Sequence, residues 1–324
     1  MTDEILIIRN LKKYFETRLG TLHAVDDVSF KIKRGETLGL VGESGCGKST
    51  IGRLILGLQT ATSGEILFNG KDVCKMSKQE LKNVRKDLQI IFQDPFSSLN
   101  PRMSVSEIIR EPLQIHNLVR GRAESDKEVF RLMNIVGLSQ RLLNAYPHEL
   151  DGGRRQRVGI ARALALQPQF IVCDEPVSSL DVSIQAQVLN LLKDLQKELG
   201  LTYLFITHDL SVVKFFSDNI AVMYLGQLVE TAKSDELFQQ PLHPYSQALL
   251  SAIPVPDCHK KMRRVKLIGE IQSPVNPLPG CRFAKRCLYQ DEACTMQDLE
   301  LKPYGDAHYC ACCKVGQINI AKEI

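Results

Sequence analysis

Apolar residues along this chain fall into short, nearly unbroken runs bounded by glycine, proline and charged residues, with longer stretches of helical spacing between them. Residues 37–41, 88–92, 170–173 and 201–206 are such runs and predict strands covered on both faces. A looser alternation over 5–15 predicts an edge strand, 25–32 predicts another strand, and Arg34-Gly35-Glu36 turns the chain into 37–41. Residues 64–70 predict a short strand closed by an Asn-Gly turn. Helices are predicted over 50–58 and 183–199, the latter with Ile184, Val188, Leu191, Leu192, Leu195 and Leu199 on one face. Helical periodicity also prevails from 104 to 143, where Val129, Leu132, Met133 and Val136 are apolar. Buried strands alternating with helices predict an α/β fold with a mainly parallel sheet and ligand at the carboxyl ends of its strands. After about Lys233 the character changes: prolines at 241, 244, 254, 256, 274, 277 and 279 predict an extension with little regular structure.

Composition narrows the class. A chain of 324 residues with 44% hydrophobic and 24% charged residues reads as a globular protein with a sizeable core. Its formal charge of +4 gives no reason to expect a nucleic-acid stripe or a polybasic anchor. No run of about 18 apolar residues is present, so no membrane-crossing helix is expected. Met1-Thr2-Asp3-Glu4 lacks the basic region and apolar run of a signal peptide, and the expected location is the cytoplasm.

The candidate chemistry begins at Gly42-Glu43-Ser44-Gly45-Cys46-Gly47-Lys48-Ser49-Thr50, between a predicted strand and a predicted helix. Two glycines five apart followed by Lys and Ser match the phosphate-binding loop. Glycines let the backbone curl so that successive N–H groups form a nest for an anion, and the helix N-terminus adds its dipole. Lys48 supplies a point charge for the outer phosphates, and the Ser49 hydroxyl is placed to hold Mg²⁺. A glycine-rich turn alone would not need Lys and Ser at those offsets. Asp174-Glu175 follows the run 170–173. The pair is either a helix cap or a Mg²⁺ ligand (Asp174) beside a group that polarises water (Glu175). His208, at the end of the next strand, is a structural histidine or a contact to a terminal phosphate. Gln93 is a strand-end polar residue or a Mg²⁺ and water contact. Tyr14 packs on the sheet or stacks on an adenine.

Taken in order, Tyr14, the phosphate loop, Gln93, Leu150-Asp151-Gly152-Gly153-Arg154, Asp174-Glu175, Ser179-Leu180-Asp181 and His208 resemble the ABC ATPases over about residues 5–235. Residues 91–101 (Ile-Phe-Gln-Asp-Pro-Phe-Ser-Ser-Leu-Asn-Pro), Tyr146-Pro147-His148-Glu149-Leu150, Pro241-Leu242-His243-Pro244-Tyr245 and Gly280-Cys281-Arg282-Phe283 are similar to the oligopeptide/dipeptide/nickel importer branch. The resemblance implies a P-loop NTPase fold with a mainly parallel sheet core, an antiparallel β subdomain, a helical subdomain and a Cys/Pro-rich extension. It sets an ATP-binding domain at 1–235, with the helical subdomain at about 95–165, and the extension at 236–324. It also implies ATP hydrolysis between two paired subunits, each phosphate loop facing the other's signature segment. Tyr14 then stacks on adenine, and Lys48 and the loop amides hold phosphates. Ser49, Gln93 and Asp174 serve Mg²⁺, Glu175 activates water, His208 contacts the terminal phosphate, and Asp181 faces the partner. The implied partners are a second ATPase subunit, two membrane permeases docking after Gln93 and, indirectly, an extracytoplasmic solute-binding protein, with this chain at the cytoplasmic face of the membrane. The resemblance favours peptides as solute, with nickel or a metal chelate as runner-up. A soluble ABC ATPase of DNA repair or ribosomes fits less well, having two cassettes, a coiled coil or zinc insertions. A regulatory protein with a vestigial site conflicts with the presence of Lys48, Asp174, Glu175 and His208.

The signature departs from the family's Leu-Ser-Gly-Gly-Gln, with Asp151 for Ser and Arg154 for Gln. A carboxylate facing a terminal phosphate at about 4 Å, in an effective dielectric of about 20, would be repelled by about 4 kcal/mol. Arg154 is placed to neutralise it or to contact phosphate, and Asp151 alternatively serves as a helix N-cap. This departure predicts a heterodimer with unequal sites.

Seven of the ten cysteines (Cys258, Cys281, Cys287, Cys294, Cys310, Cys312 and Cys313) lie in the last 67 residues, whereas Cys46, Cys74 and Cys173 are scattered. In a reducing compartment such a cluster favours metal over disulfides. Cys281, Cys287, Cys294 and Cys312 stand with five, six and seventeen residues between them. His308-Tyr309-Cys310-Ala311-Cys312 resembles the branch's tail motif and selects Cys312 as the last of the four. Some members carry an iron–sulfur centre at such cysteines, so a 4Fe–4S cluster is expected first, with zinc or metal-free buried cysteines as alternatives.

Overall fold

A computed structural model describes residues 3–253, 265, 267–270, 272–296 and 299–317. The chain forms two compact units, one from residues 1–75 and 205–324 and the other from 76–204. In chain order, the first unit begins with β1 (Glu4–Thr17), β2 (Gly20–Lys33), β3 (Thr37–Val41), α1 (Lys48–Ile55), β4 (Ser63–Phe68) and β5 (Lys71–Asp72). The second unit contains α2 (Lys78–Val84), β6 (Leu88–Ile91), α3 (Pro95–Ser98), α4 (Val105–Ile115), α5 (Gly121–Ile135), α6 (Gly152–Leu164), β7 (Phe170–Asp174) and α7 (Val182–Leu199). The chain passes from the second unit back to the first within β8 (Thr202–Thr207). There α8 (Leu210–Phe216), β9 (Asn219–Tyr224), β10 (Gln227–Lys233), α9 (Ser234–Gln239) and α10 (Pro244–Ser251) precede α11 (Ala293–Met296), β11 (Lys302–Pro303) and β12 (Tyr309–Cys310). Among the described residues no helix is long and apolar enough to cross a membrane.

In the first unit, β2-β1-β4-β5 form an antiparallel sheet. The expected edge strand is an inner one: β1 pairs with β2 along one side and with β4 along the other. Its apolar Leu6 and Ile8 face Phe68 and Ile66 of β4, so both ladders share one buried face. The Asn69-Gly70 turn into β5 forms as predicted, with left-handed φ of 49° and 76°. All five residues of β3 are buried, and β3 pairs in parallel with β9. Next come β10, antiparallel to β9, and β12, which pairs Glu230 with Cys310.

The proline-rich extension therefore carries more structure than its composition predicts, because its aromatic residues join the core of the first unit. Tyr245 and Phe283 pack with Val41, Val222 and Tyr224. The Tyr224 and Phe283 rings meet edge-on at 5.3 Å, a geometry worth about 0.5–1.5 kcal/mol beyond area burial. A second anchor is Glu230, fully buried in β10. It accepts hydrogen bonds from the backbone N–H groups of Leu242 (2.7 Å) and His243 (2.9 Å), and His308 Nε2 lies 2.7 Å away. Burial alone would lower the His308 pKa, but the carboxylates of Glu230 and Glu236 outweigh it and raise the value above the ordinary 6.5. A raised histidine contributes stability that is complete below the ordinary value and is lost as pH rises through the raised one. Thermal stability is expected to fall as pH rises across about 6–9, and to fall less in His308→Gln. An equal decline in both proteins would remove the imidazolium from this account.

In the second unit, β6 and β7 pair in parallel. The helical run from 104 divides into α4 and α5 because Asn117 and Gly121 take left-handed φ of 52° and 82°. Ser104 and Glu107 form a capping box that fixes the start of α4. Along α7 the predicted face is buried at Val188, Leu192 and Leu195, while Leu199 is exposed next to the C-cap Gly200.

Candidate active site

The phosphate loop joins β3 to α1 in the first unit. Its glycines answer steric demands: Gly45 and Gly47 have φ of +79° and +105°, and a Cβ on Gly47 would lie 2.0 Å from the Ala24 carbonyl oxygen. A Cβ on Gly42 would lie 2.1 Å from the Met223 carbonyl oxygen. Lys48 is 4% exposed, and its Nζ donates to the carbonyls of Gly42 (2.8 Å) and Glu43 (2.9 Å), so the loop holds its own cation in place. Cys46 Sγ lies 3.7 Å from that Nζ, and burial pushes its thiol pKa up. Gly47 is the N-cap of α1. No side chain caps the helix and no acidic residue stands in its first turn. A buried ammonium, a helix N-terminus with no side-chain cap and the adjacent Ser49 and Thr50 hydroxyls form a donor set that fits a polyphosphate.

Tyr14, in β1 of the same unit, is half-buried. Its ring stacks on His23 at 4.0 Å and 24°, and its hydroxyl donates to Asp26 at 2.5 Å. Burial and the Asp26 carboxylate push the phenol pKa well up. Burial would raise the Asp26 pKa, but hydrogen bonds from Tyr14 and His23 and the Arg282 guanidinium bring it below the ordinary value. His208, exposed, follows β8 in this unit.

The second unit places Asp174 at the end of β7, 6% exposed, with Glu175 next to it at a left-handed φ of 47°. Gln93 Nε2 donates to Glu175 Oε2 at 3.0 Å, so two predicted site residues more than eighty positions apart touch. The oxygen ligands offered by Gln93 and Asp174 suit a hard cation such as Mg²⁺. Asp181 is the N-cap of α7, its side chain making no cap bond. In the signature, Asp151 caps α6 by accepting from Arg154 N–H at 2.7 Å, and Arg154 Nε approaches its other oxygen at 3.4 Å. Both the cap and the neutralising pair expected from the sequence therefore form at once. Gly152 and Gly153 pack closely on their neighbours: a Cβ on Gly153 would lie 2.6 Å from Ile184 Cγ2, and one on Gly152 3.0 Å from Leu180 Cδ2.

The structure does not support the expected cysteine centre. Among the described residues, no group of three or more His, Cys, Asp or Glu is arranged to hold a metal ion. The Cys281 N–H donates to the Cys294 carbonyl at 2.7 Å, but the thiol facing Cys294 Sγ, at 3.7 Å, is that of Cys313 rather than Cys312. Burial, with neighbouring cysteines adding to it, pushes Cys281 up to about 12, and burial takes Cys294 and Cys312 to about 11. Cys312, Cys294 and Cys287 all add to the rise at Cys281, so the four stand near one another, but among the described residues they form no group arranged to hold a metal ion, and no chemistry is derived through one. Cys258 lies outside the described residues.

Sequence reasoning missed His23, Asp26, Tyr245, Arg282 and Arg286, all of which touch Tyr14, Glu43 or their partners. The one available signal was Arg282 and Tyr245 sitting inside tail segments already singled out, and nothing local tied either to the phosphate loop.

Comparison with known proteins identifies the family. Residues 25–178 match the family described as ABC transporter, and residues 229–294 match the oligopeptide/dipeptide transporter, C-terminal region. The chain is 53% identical to the oligopeptide transport ATP-binding protein OppF of Haemophilus influenzae, over 95% of this chain and 93% of that protein. It is 58% identical to OppF of Bacillus subtilis, over 82% and 88%. Among solved structures, CbiO1 of Clostridium perfringens superposes with a TM-score of 0.65 at 32% identity, over 73% of this chain and 91% of that one. The cassette MJ0796, in a dimeric post-hydrolysis state with ADP and Pi, gives 0.64 at 31%, over 71% and 98%. With a phosphate loop that holds its lysine, an acidic pair at a strand end and relatives matched over nearly their whole length, the chain belongs to the family of ABC transporter ATP-binding subunits, in its oligopeptide/dipeptide branch.

Proposed function

We propose that this chain is the ATP-hydrolysing subunit of an oligopeptide importer, held at the cytoplasmic face of the membrane by two permeases and served by an extracytoplasmic solute-binding protein. The observation that carries the peptide reading is the 229–294 tail region, together with relatives named for oligopeptide transport; neither favours nickel. The domain boundaries proposed are 1–235 for the ATP-binding part and 236–324 for the extension. In this reading Tyr14 stacks on adenine, Lys48 and the amides of Gly42–Thr50 hold phosphates, and Glu175 takes a proton from the attacking water. His208 contacts the terminal phosphate, and Asp181 faces the partner subunit. Mg²⁺ held by Ser49, Gln93 and Asp174 offsets the charge that develops on the phosphates. Loss of labelled oligopeptide uptake on deletion, with nickel uptake intact, is the expected result; the reverse would establish the runner-up.

The companion is proposed to be a second, different ATPase subunit. The signature supports unequal sites: Asp151 presents a carboxylate where a hydroxyl donor is the family's habit, and Arg154 lies 3.4 Å from it, an exposed pair worth less than about 1 kcal/mol. Asp151→Ser in the purified complex is expected to raise ATP turnover by up to about twofold, as a weak site becomes equal to a strong one. Equal turnover at both sites before the change would rule out the asymmetry.

A further inference from the structure

The tail reaches the nucleotide site of its own unit at both ends. At the phosphate end, every polar group of Glu43 is committed. Its N–H donates to the Tyr245 hydroxyl at 2.9 Å, its carbonyl accepts from Lys48 Nζ at 2.9 Å, and its carboxylate takes Arg286 Nη1 at 2.8 and 3.1 Å. The same Nη1 lies 3.3 Å from the Tyr224 hydroxyl, and Arg286 is 7% exposed. At the base end, the Arg282 guanidinium bonds the Asp26 carboxylate and the Leu225 carbonyl. Asp26 in turn holds the Tyr14 hydroxyl at 2.5 Å and His23 Nδ1 at 3.2 Å. The two arginines lie on one short segment, pinned by Phe283 in the core and by the Cys281-to-Cys294 and Ala284-to-Cys281 backbone bonds.

We infer that Arg282 and Arg286 are positioning residues for ATP: Arg286 sets the phosphate loop through Glu43, and Arg282 sets the plane of Tyr14 through Asp26. This rests on the nucleotide-site reading above. A buried ion pair that served stability alone could join any two elements. Here one pair meets the loop residue whose carbonyl holds Lys48, and the other meets the carboxylate that orients the stacking ring. Neither arginine is placed to touch the reacting atoms, so the expected effect falls on affinity and not on the chemical step.

The test uses the full chain in its complex with the companion ATPase. It reads affinity for a fluorescent ATP analogue and for inorganic triphosphate, the kcat and KM of ATP turnover, and thermal stability. Arg286→Gln and Glu43→Gln are each expected to weaken ATP about tenfold with kcat held within about twofold. The double variant should be no worse than either single, and Arg286→Lys should recover part of the loss. Arg282→Gln is expected to weaken ATP but not triphosphate, whereas Arg286→Gln weakens both. Unchanged ATP affinity in stably folded Arg286→Gln and Glu43→Gln proteins, or multiplying losses in the double variant, would overturn the inference. If Arg286→Gln does not fold, Glu43→Gln, which alters only the loop side, decides alone. Lys48→Ala separates the two levels: if it binds ATP as the unaltered chain does, the nucleotide-site reading fails whatever the arginines show.

Discussion

Glu175→Gln is expected to cut ATP turnover by about 10²–10⁴-fold while ATP still binds, the range that removing a positioned general base produces. The amide is nearly isosteric and keeps hydrogen-bonding capacity toward Gln93, which lies 3.0 Å from the carboxylate. What it loses is the ability to accept a proton. Glu175 sits in left-handed backbone at φ 47°, a conformation that costs a non-glycine residue about 1–3 kcal/mol. Ser178 holds that geometry by donating its hydroxyl to the Glu175 carbonyl at 3.1 Å. Strain kept at the end of a buried strand serves the aim of one side chain. Phosphate release measured under saturating ATP checks the outcome, and unchanged turnover would remove Glu175 from its assigned role.

The second large effect concerns the loop itself. Gly47→Ala would place a methyl 2.0 Å from the Ala24 carbonyl oxygen and 2.8 Å from Met223 Cε, at a φ of +105°. The methionine tip can turn away, but Ala24 is backbone of β2, paired with β1 along most of its length, and cannot yield cheaply. Clash and strained φ together are expected to cost about 2–4 kcal/mol and to weaken ATP binding at least about 100-fold. Gly45→Ala is the internal comparison: its φ is +79°, but nothing lies within 4 Å of the added carbon. It should cost only about 1–2 kcal/mol, the backbone penalty alone. Denaturation midpoints and ATP affinity of the two proteins decide the matter, and equal losses would show that crowding at Ala24 is irrelevant.

The β3 strand, the loop, α1, β7 and α7 were legible because each carries a strong local pattern. A fully buried strand leaves no polar residue to blur the run, and the loop needs glycines where a side chain would strike a carbonyl. The inner position of β1 was not legible, since alternation reports a buried face and says nothing of how many neighbours a strand has. The tail was misread for a related reason. Proline spacing marks the absence of helices, yet Tyr245, Phe283 and Arg286 are ordered by contacts with residues far earlier in the chain. The Arg286–Glu43 pair spans 243 positions, beyond the reach of any periodicity. The cysteines show another limit: spacing suggested a ligand set, but it does not determine which thiol faces which, and the thiol next to Cys294 is that of Cys313.

The interval between Glu43 and Arg286 also has a consequence in time. At about 5–20 residues per second, a ribosome needs roughly 12–50 s to make the 243 residues that separate them. Until that last stretch emerges, the nascent loop has strand and helix on either side but neither Tyr245 nor Arg286 to hold Glu43. Residues 76–204, being continuous, face no such wait. Full affinity for a nucleotide would thus be among the final properties a newborn copy acquires.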